Sequence, residues 1–95
     1  MEAKEQYIEK LQKQLREWDS ELEELRLKST LVKAELKDEY AEEMEELESK
    51  RQQAEQKMKK IKEATAESWV EMKDGFERAW DELKMATKNV VSKYK

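Results

Sequence analysis

The sequence predicts an all-α protein, either one long amphipathic helix or a helical hairpin, that forms an antiparallel coiled coil. The chain of 95 residues has no proline and one glycine, so the residues that usually end helices are nearly absent. Charged residues make up 46% of it and hydrophobic residues 37%, which favours a narrow buried seam over a thick core. A regular apolar repeat separates it from disordered chains of similar charge.

Residues 1–47 form the first predicted arm, a heptad coiled-coil segment. Apolar residues recur there at steps of three and four, with Ser29 as a gap, which keeps one seam facing a partner helix. After Leu36 the steps become four, four and three through Met44, which locally unwinds a supercoil as a stutter does. The predicted seam residues of this arm are Ile8, Leu11, Leu15, Trp18, Leu22, Leu25, Val32, Leu36, Tyr40 and Leu47.

Residues 48–57 are a polar segment in which the predicted seam is weakest, because Arg51 and Ala54 take its positions. The segment divides the chain into two arms of similar length, as the bend of a hairpin would, but it contains no turn residue. A continuous helix needs only tolerance of a polar patch, so both alternatives stay open. A break at residues 28–30, which would give a three-helix bundle, is disfavoured because the apolar stripe is narrow for two neighbours.

Residues 58–95 form the second predicted arm, an amphipathic segment with an eleven-residue repeat. Trp69 and Trp80 occupy one column of the repeat, and Gly75 lies in a column of small residues beside it. Such a repeat holds about 3.67 residues per turn, so its seam stays nearly straight. We expect the aromatic side chains to pack over small residues of a facing helix, which would explain the glycine. The predicted seam residues of this arm are Met58, Ile61, Trp69, Met72, Phe76, Trp80, Leu83, Val91 and Tyr94.

Two stretches of the sequence resemble a known family. Residues 7–18, YIEKLQKQLREW, and the units WVEMK from Trp69 and WDELK from Trp80 resemble the two ends of short hydrophilic bacterial coiled-coil proteins associated with stress responses. The eleven-residue units also resemble those of group 3 late embryogenesis abundant proteins and of exchangeable apolipoproteins. The latter two resemblances imply stress protection and reversible attachment to lipid, respectively.

The residue types argue against catalysis and metal binding. The chain has no cysteine and no histidine, so it lacks the thiolate and the imidazole that metals and nucleophilic catalysis most often use. The acidic residues of the stretch 38–48 point in several directions into water, with no loop to wrap a cation and no pocket to raise a carboxyl pKa. We therefore expect a non-enzymatic protein without a metal, a cofactor or a small-molecule substrate.

The charge distribution sets the expected partners. The formal charge is −7 up to Gln56 and +3 from Lys57 onward, so the first part would repel nucleic acid. Antiparallel pairing would bring the acidic stretch 38–48 near the basic run 57–62, which favours antiparallel self-association or pairing with another helical protein. A membrane surface is the less favoured partner, because acidic residues nearly balance the lysines of the second arm. The polar start and the lack of a long apolar run predict a cytoplasmic location.

Overall fold

The computed structural model describes residues 3–94, and this part of the chain is all-α, as predicted. Helix α1 spans Ala3–Lys28, α2 spans Lys37–Glu63 and α3 spans Trp69–Lys93. Two short 3₁₀ turns, Ser29–Leu31 and Ala34–Leu36, lie between α1 and α2. The helices lie side by side in a body of 51 × 19 × 17 Å, which is an elongated three-helix bundle.

Neighbouring helices in the sequence run in opposite directions. Lys4, at the start of α1, donates to the carbonyl of Ala64, just beyond the end of α2. Lys93, at the end of α3, pairs with Glu39 near the start of α2. Helices α1 and α3 are therefore parallel to each other and antiparallel to α2. We call the end that holds the last turn of α1, the first turn of α2 and the last turn of α3 the distal end, and the opposite end the proximal end.

The distal turn between α1 and α2 depends on two residues with extended backbone. Val32 has φ −75° and ψ 140°, and Lys33 has φ −57° and ψ 142°. The residues on both sides of this pair keep 3₁₀ helical turns. The Tyr40 hydroxyl donates to the carbonyl of Leu25, one of the last α1 carbonyls, which have no partner within their own helix. A side chain of α2 thereby completes the end of α1.

The proximal turn between α2 and α3 is closed by polar contacts from Lys4 of α1 and within the turn itself. The Lys4 ammonium donates to the carbonyls of Lys62 at 3.3 Å and Ala64 at 2.9 Å, where a helix end is rich in unpaired acceptors. The Thr65 hydroxyl accepts a 3.2 Å hydrogen bond from the backbone N–H of Ser68, just before α3 begins. These contacts end α2 and start α3 without a proline or a glycine.

The chain turns at places other than the possible bend at 48–57. Helix α2 continues through that segment, with Ala54 fully buried, so the polar patch is tolerated within a helix. The turn at 29–36, which the narrow stripe had disfavoured, is present instead. A narrow stripe is sufficient because each inward residue of α1 lies between two neighbouring helices. The acidic stretch and the basic run 57–62 consequently lie toward opposite ends of the same helix and do not face each other.

The core consists of two clusters along the bundle axis, and Trp80 packs against both. Full burial of a large apolar side chain stabilises a fold by about 1.5–3 kcal/mol, so these clusters are the main favourable term. The buried members of the proximal cluster are Ile8, Leu11, Leu15, Ala54, Met58, Ile61, Phe76 and Ala79. Those of the distal cluster are Trp18, Leu22, Leu25, Tyr40, Met44, Leu47, Leu83 and Val90.

Candidate interaction surface

Most of the predicted seam faces the inside of the bundle, so the chain covers its own seam. The predicted seam residues that are buried are Ile8, Leu11, Leu15, Trp18, Leu22, Leu25, Tyr40, Leu47, Met58, Ile61, Phe76 and Leu83. Those that are partly buried are Val32, Leu36, Trp69, Trp80 and Tyr94. Those that are exposed are Met72 and Val91.

Two residues that the eleven-residue repeat put on the seam of α3 lie outside its buried face. Met72 and Val91 are 40% and 39% exposed, whereas Val90 is buried. The inward face of α3 follows the heptad spacing of Phe76, Leu83 and Val90, which a search for steps of seven would have found. The column of Trp69, Trp80 and Val91 lies within α3 but follows the edge of its buried face, where the two indoles are partly buried and Val91 is exposed. Buried residues absent from the predicted seam are Met44, Ala54, Ala79, Thr87 and Val90.

A buried hydrogen bond joins α1 to α3 in the distal cluster. The indole N–H of Trp18 donates to the Thr87 hydroxyl at 3.0 Å, and that hydroxyl donates to the carbonyl of Leu83 at 2.8 Å. Trp18 is only 3% exposed and Thr87 only 5%, so water cannot replace either bond. The pair sets the register of α1 against α3. Sequence patterns did not indicate it, because a lone threonine on a helix carries no sign of its partner.

The aromatic residues of the proximal half pack within the chain. Tyr7 of α1 lies 5.7 Å from Trp69, measured between ring centroids, and Phe76 stacks on Trp80 at 6.0 Å. Burial, followed by the charge of Glu77 and a hydrogen bond to it, raises the pKa of Tyr7 to about 12. The indoles thus meet α1 and their own helix, and their outer edges remain accessible.

Gly75 has no packing role within the bundle. A Cβ atom built on it would meet only the Lys57 ammonium, at an ordinary contact distance of 3.8 Å. Its backbone is not in the left-handed region either, so nothing in residues 3–94 requires a glycine there. The expectation that the aromatic side chains need this glycine is not supported by the packing inside the chain.

Ion pairs link the helices along their outer edges. Arg51 of α2 contacts Asp19 of α1 at 3.0 Å, and Lys93 of α3 contacts Glu39 and Glu43 of α2. Hydrogen bonds to these two glutamates raise the pKa of Lys93 above its usual value. Exposed pairs of this kind contribute about 0–1 kcal/mol each, so they orient the helices more than they stabilise them.

An apolar groove of about 250 Å³ opens at the distal end, between the 29–36 connection and the last turns of α3. Leu31 is 82% exposed and lies on the wall of the groove, although a side chain of its size is usually buried. Lys28 is the single charged residue among those lining it. The lining residues are Leu25, Lys28, Leu31, Val32, Tyr40, Val90, Val91 and Tyr94.

Tyr40 and Tyr94 contact each other in the lining of the groove. Their rings meet edge to face at 4.9 Å, a favoured aromatic geometry. Burial raises the pKa of Tyr40, and burial with the nearby Glu43 carboxylate raises that of Tyr94 to about 12. Neither phenol brings a charge to the groove at physiological pH.

Nowhere in residues 3–94 do three or more histidine, cysteine, aspartate or glutamate side chains gather closely enough to hold a metal ion. Over the same residues, no helix combines the length and the apolar character needed to cross a bilayer.

Comparison of the chain with protein-family models, curated proteins and solved structures gave no match. The resemblance to stress-associated coiled-coil proteins therefore stays a prediction from the motifs that carry it. The function has to be inferred from the chain's own surfaces, and the distal groove is lined almost wholly by apolar and aromatic residues.

Proposed function

We propose that the protein is a non-enzymatic helical-bundle protein that acts by self-association through its distal end. The observation that carries this proposal is the pairing of an exposed apolar side chain, Leu31, with an apolar groove on the same surface. A contact between two identical surfaces has twofold symmetry, in which each copy supplies what the other receives. Leu31 of each copy would enter the groove of the other.

The size and the charge of the groove suit this occupant. A cavity of about 150 Å³ accepts a benzene molecule, so a groove of about 250 Å³ has room for a leucine side chain. Lys28 alone brings a charge to the lining, so two copies meet with little like-charge repulsion. Removing Leu31 of both copies from water favours association, by about 25 cal/mol per Å² of apolar surface buried.

The end contact by itself supports only weak association. A stable protein–protein interface buries about 1,200–2,000 Å², whereas the distal end of a bundle 19 × 17 Å across offers much less on each side. We therefore expect a monomer in dilute solution and a dimer as the concentration rises.

Sedimentation equilibrium over a range of concentrations tests the proposal with two matched variants. Leu31→Ser removes the exposed apolar side chain at the distal end, and Met85→Ser removes one that is 67% exposed on α3 and does not line the groove. We expect Leu31→Ser to weaken dimerisation by about tenfold or more, since losing a leucine contact on each copy costs more than about 1.4 kcal/mol. Met85→Ser should leave it unchanged. A strict monomer at every concentration, or equal effects of the two variants, would contradict the proposal.

Other partners receive less support. Attachment to a membrane through α3 would require that helix to leave the bundle, because Phe76 and Leu83 are almost fully buried in it. A blue shift of tryptophan emission with anionic vesicles would favour lipid over a second copy. Another helical protein would compete for the same groove. A cytoplasmic location and a role in stress belong to the proposal as well, and the role in stress rests only on the resemblance.

A further inference from the structure

We propose that the dimer forms by exchange of α1, in which residues 29–36 straighten and join α1 and α2 into one helix from Ala3 to Glu63. Each α1 then packs on α2 and α3 of the other copy. The inference rests on the proposed self-association and goes beyond the end contact: exchange also brings the two distal ends together, but it takes Leu31 and Val32 off the groove wall, so the α1 contacts replace the Leu31 contact. At 1.5 Å per residue the joined helix is about 90 Å long.

The connection is close to helical already. Residues 29–31 and 34–36 form 3₁₀ turns, so straightening mainly requires ψ of Val32 and Lys33 to move from about 140° to the helical value near −42°. No proline or glycine lies between Ser29 and Leu36 to oppose the change. A turn that the local sequence enforces usually contains a proline or a glycine, and this connection contains neither.

The heptad pattern of α1 continues in phase through the connection as far as Leu36. From Leu25 the seam positions are Ser29, Val32 and Leu36, at steps of four, three and four, and the next step, of four to Tyr40, begins the stutter. A stutter changes the winding of a supercoil but keeps the apolar residues on one side of an uninterrupted helix. The apolar stripe therefore suits a joined helix as well as the bend.

Straightening exchanges the 3₁₀ hydrogen bonds of the connection for α-helical ones. In the bent state the Leu36 N–H donates to the Lys33 carbonyl at 2.9 Å, and the Lys37 N–H donates to the Ala34 carbonyl. Leu36 supplies no side-chain cap to the N–H groups that follow it at the start of α2. In one joined helix, these N–H groups donate to carbonyls of the connection.

Tyr40 joins the two sides of the connection in the bent state, because its hydroxyl donates to the Leu25 carbonyl. In the joined helix Leu25 and Tyr40 lie about 22 Å apart along one axis, so this contact forms only between the two chains. Exchange keeps the core contacts of α1, whose inward residues then form part of the interface, so the dimer buries far more apolar surface than the end contact could.

Lys33→Pro tests the exchange directly. Lys33 has φ −57°, which proline accepts, and Val32 before it has the extended backbone that a following proline prefers. Proline thus fits the bent monomer but breaks a continuous helix, and we expect it to weaken dimerisation by roughly a hundredfold or more. Lys33→Ala removes the same charge and favours helix, so it should dimerise at least as well as the parent chain.

A mixing experiment identifies which chain supplies α1. Asp19 and Arg51 touch across the α1–α2 boundary, so one chain carries Asp19→Cys, a second carries Arg51→Cys, and a short bis-maleimide joins the thiols after the two are refolded together at high concentration. Exchange predicts a covalent heterodimer. The control chain carries Gln53→Cys in place of Arg51→Cys. Gln53 is exposed and lies about 200° around α2 from Arg51, so this pair should give no covalent heterodimer.

The outcomes separate the two proposals. A dimer in sedimentation without the covalent product, or an unchanged dimer in Lys33→Pro, would overturn the exchange and leave end-to-end association standing. A strict monomer would overturn both. A covalent product that Lys33→Pro abolishes and Lys33→Ala retains supports the exchange.

Discussion

The buried hydrogen bond between Trp18 and Thr87 makes a sharp test of how α1 is held against α3. We propose the substitution Thr87→Val, which keeps the shape of the side chain and removes the hydroxyl. The indole N–H then stays buried with no acceptor, because Trp18 is 3% exposed. A buried donor left without a partner costs about 1–3 kcal/mol, and we expect the free energy of unfolding to fall by that amount.

The measurement is urea unfolding followed by far-ultraviolet circular dichroism at low protein concentration, where the monomer prevails. If the slope of the free energy of unfolding against urea concentration is unchanged, the substitution has altered stability and not the surface exposed on unfolding. Trp18→Phe supplies the matched background, because it removes the donor and retains an aromatic ring. In that background the loss caused by Thr87→Val should shrink to less than about 0.5 kcal/mol, which gives a coupling of about 1–2 kcal/mol.

Equal losses in the two backgrounds would show that Thr87 contributes through packing or through its 2.8 Å bond to the Leu83 carbonyl alone. The link between α1 and α3 would then rest on apolar contacts only. No loss in either background would show that the indole finds another acceptor.

Two further predictions follow from single side chains. Gly75→Ala should raise the free energy of unfolding by about 0.5–1 kcal/mol in urea titrations, because the added Cβ meets only an ordinary contact and alanine favours helix; a loss would reveal a contact that needs the glycine. The pKa of Tyr7 is about 12 in the folded state and about 10 in the unfolded state. Its contribution to the free energy of unfolding is therefore fully present below pH 10 and is lost as pH rises through 12. The urea midpoint should fall over that range, and Tyr7→Phe should reduce the fall; an equal fall in both chains would contradict the role of Tyr7.

The seam of α1 shows what periodicity predicts well. Six predicted residues, Ile8 through Leu25, are all buried, because the heptad steps in this helix have no interruption. The seam of α3 shows where periodicity misleads. An eleven-residue column selected Val91, whereas the buried residue is Val90, because that column follows the edge of the face on which Phe76, Leu83 and Val90 are buried.

The groove and the polar contacts were beyond the reach of sequence patterns. Leu31 lies off the seam and has no neighbour in the sequence that signals a groove. The Trp18–Thr87 bond joins residues far apart in the chain. Both depend on which helices become neighbours, and that was the part of the fold the sequence left open.

Composition and apolar spacing by themselves determined that this protein is all-α and, in α1 and most of α2, which side of each helix is apolar. These properties are local, because helix propensity and amphipathic spacing act within a few turns of chain. Only the tertiary structure decided that the chain turns at 29–36 and at 64–68 and continues through 48–57. No residue forces or forbids these turns, so the choice depends on how much apolar surface three helices of one chain bury together, which is a sum over contacts between distant residues.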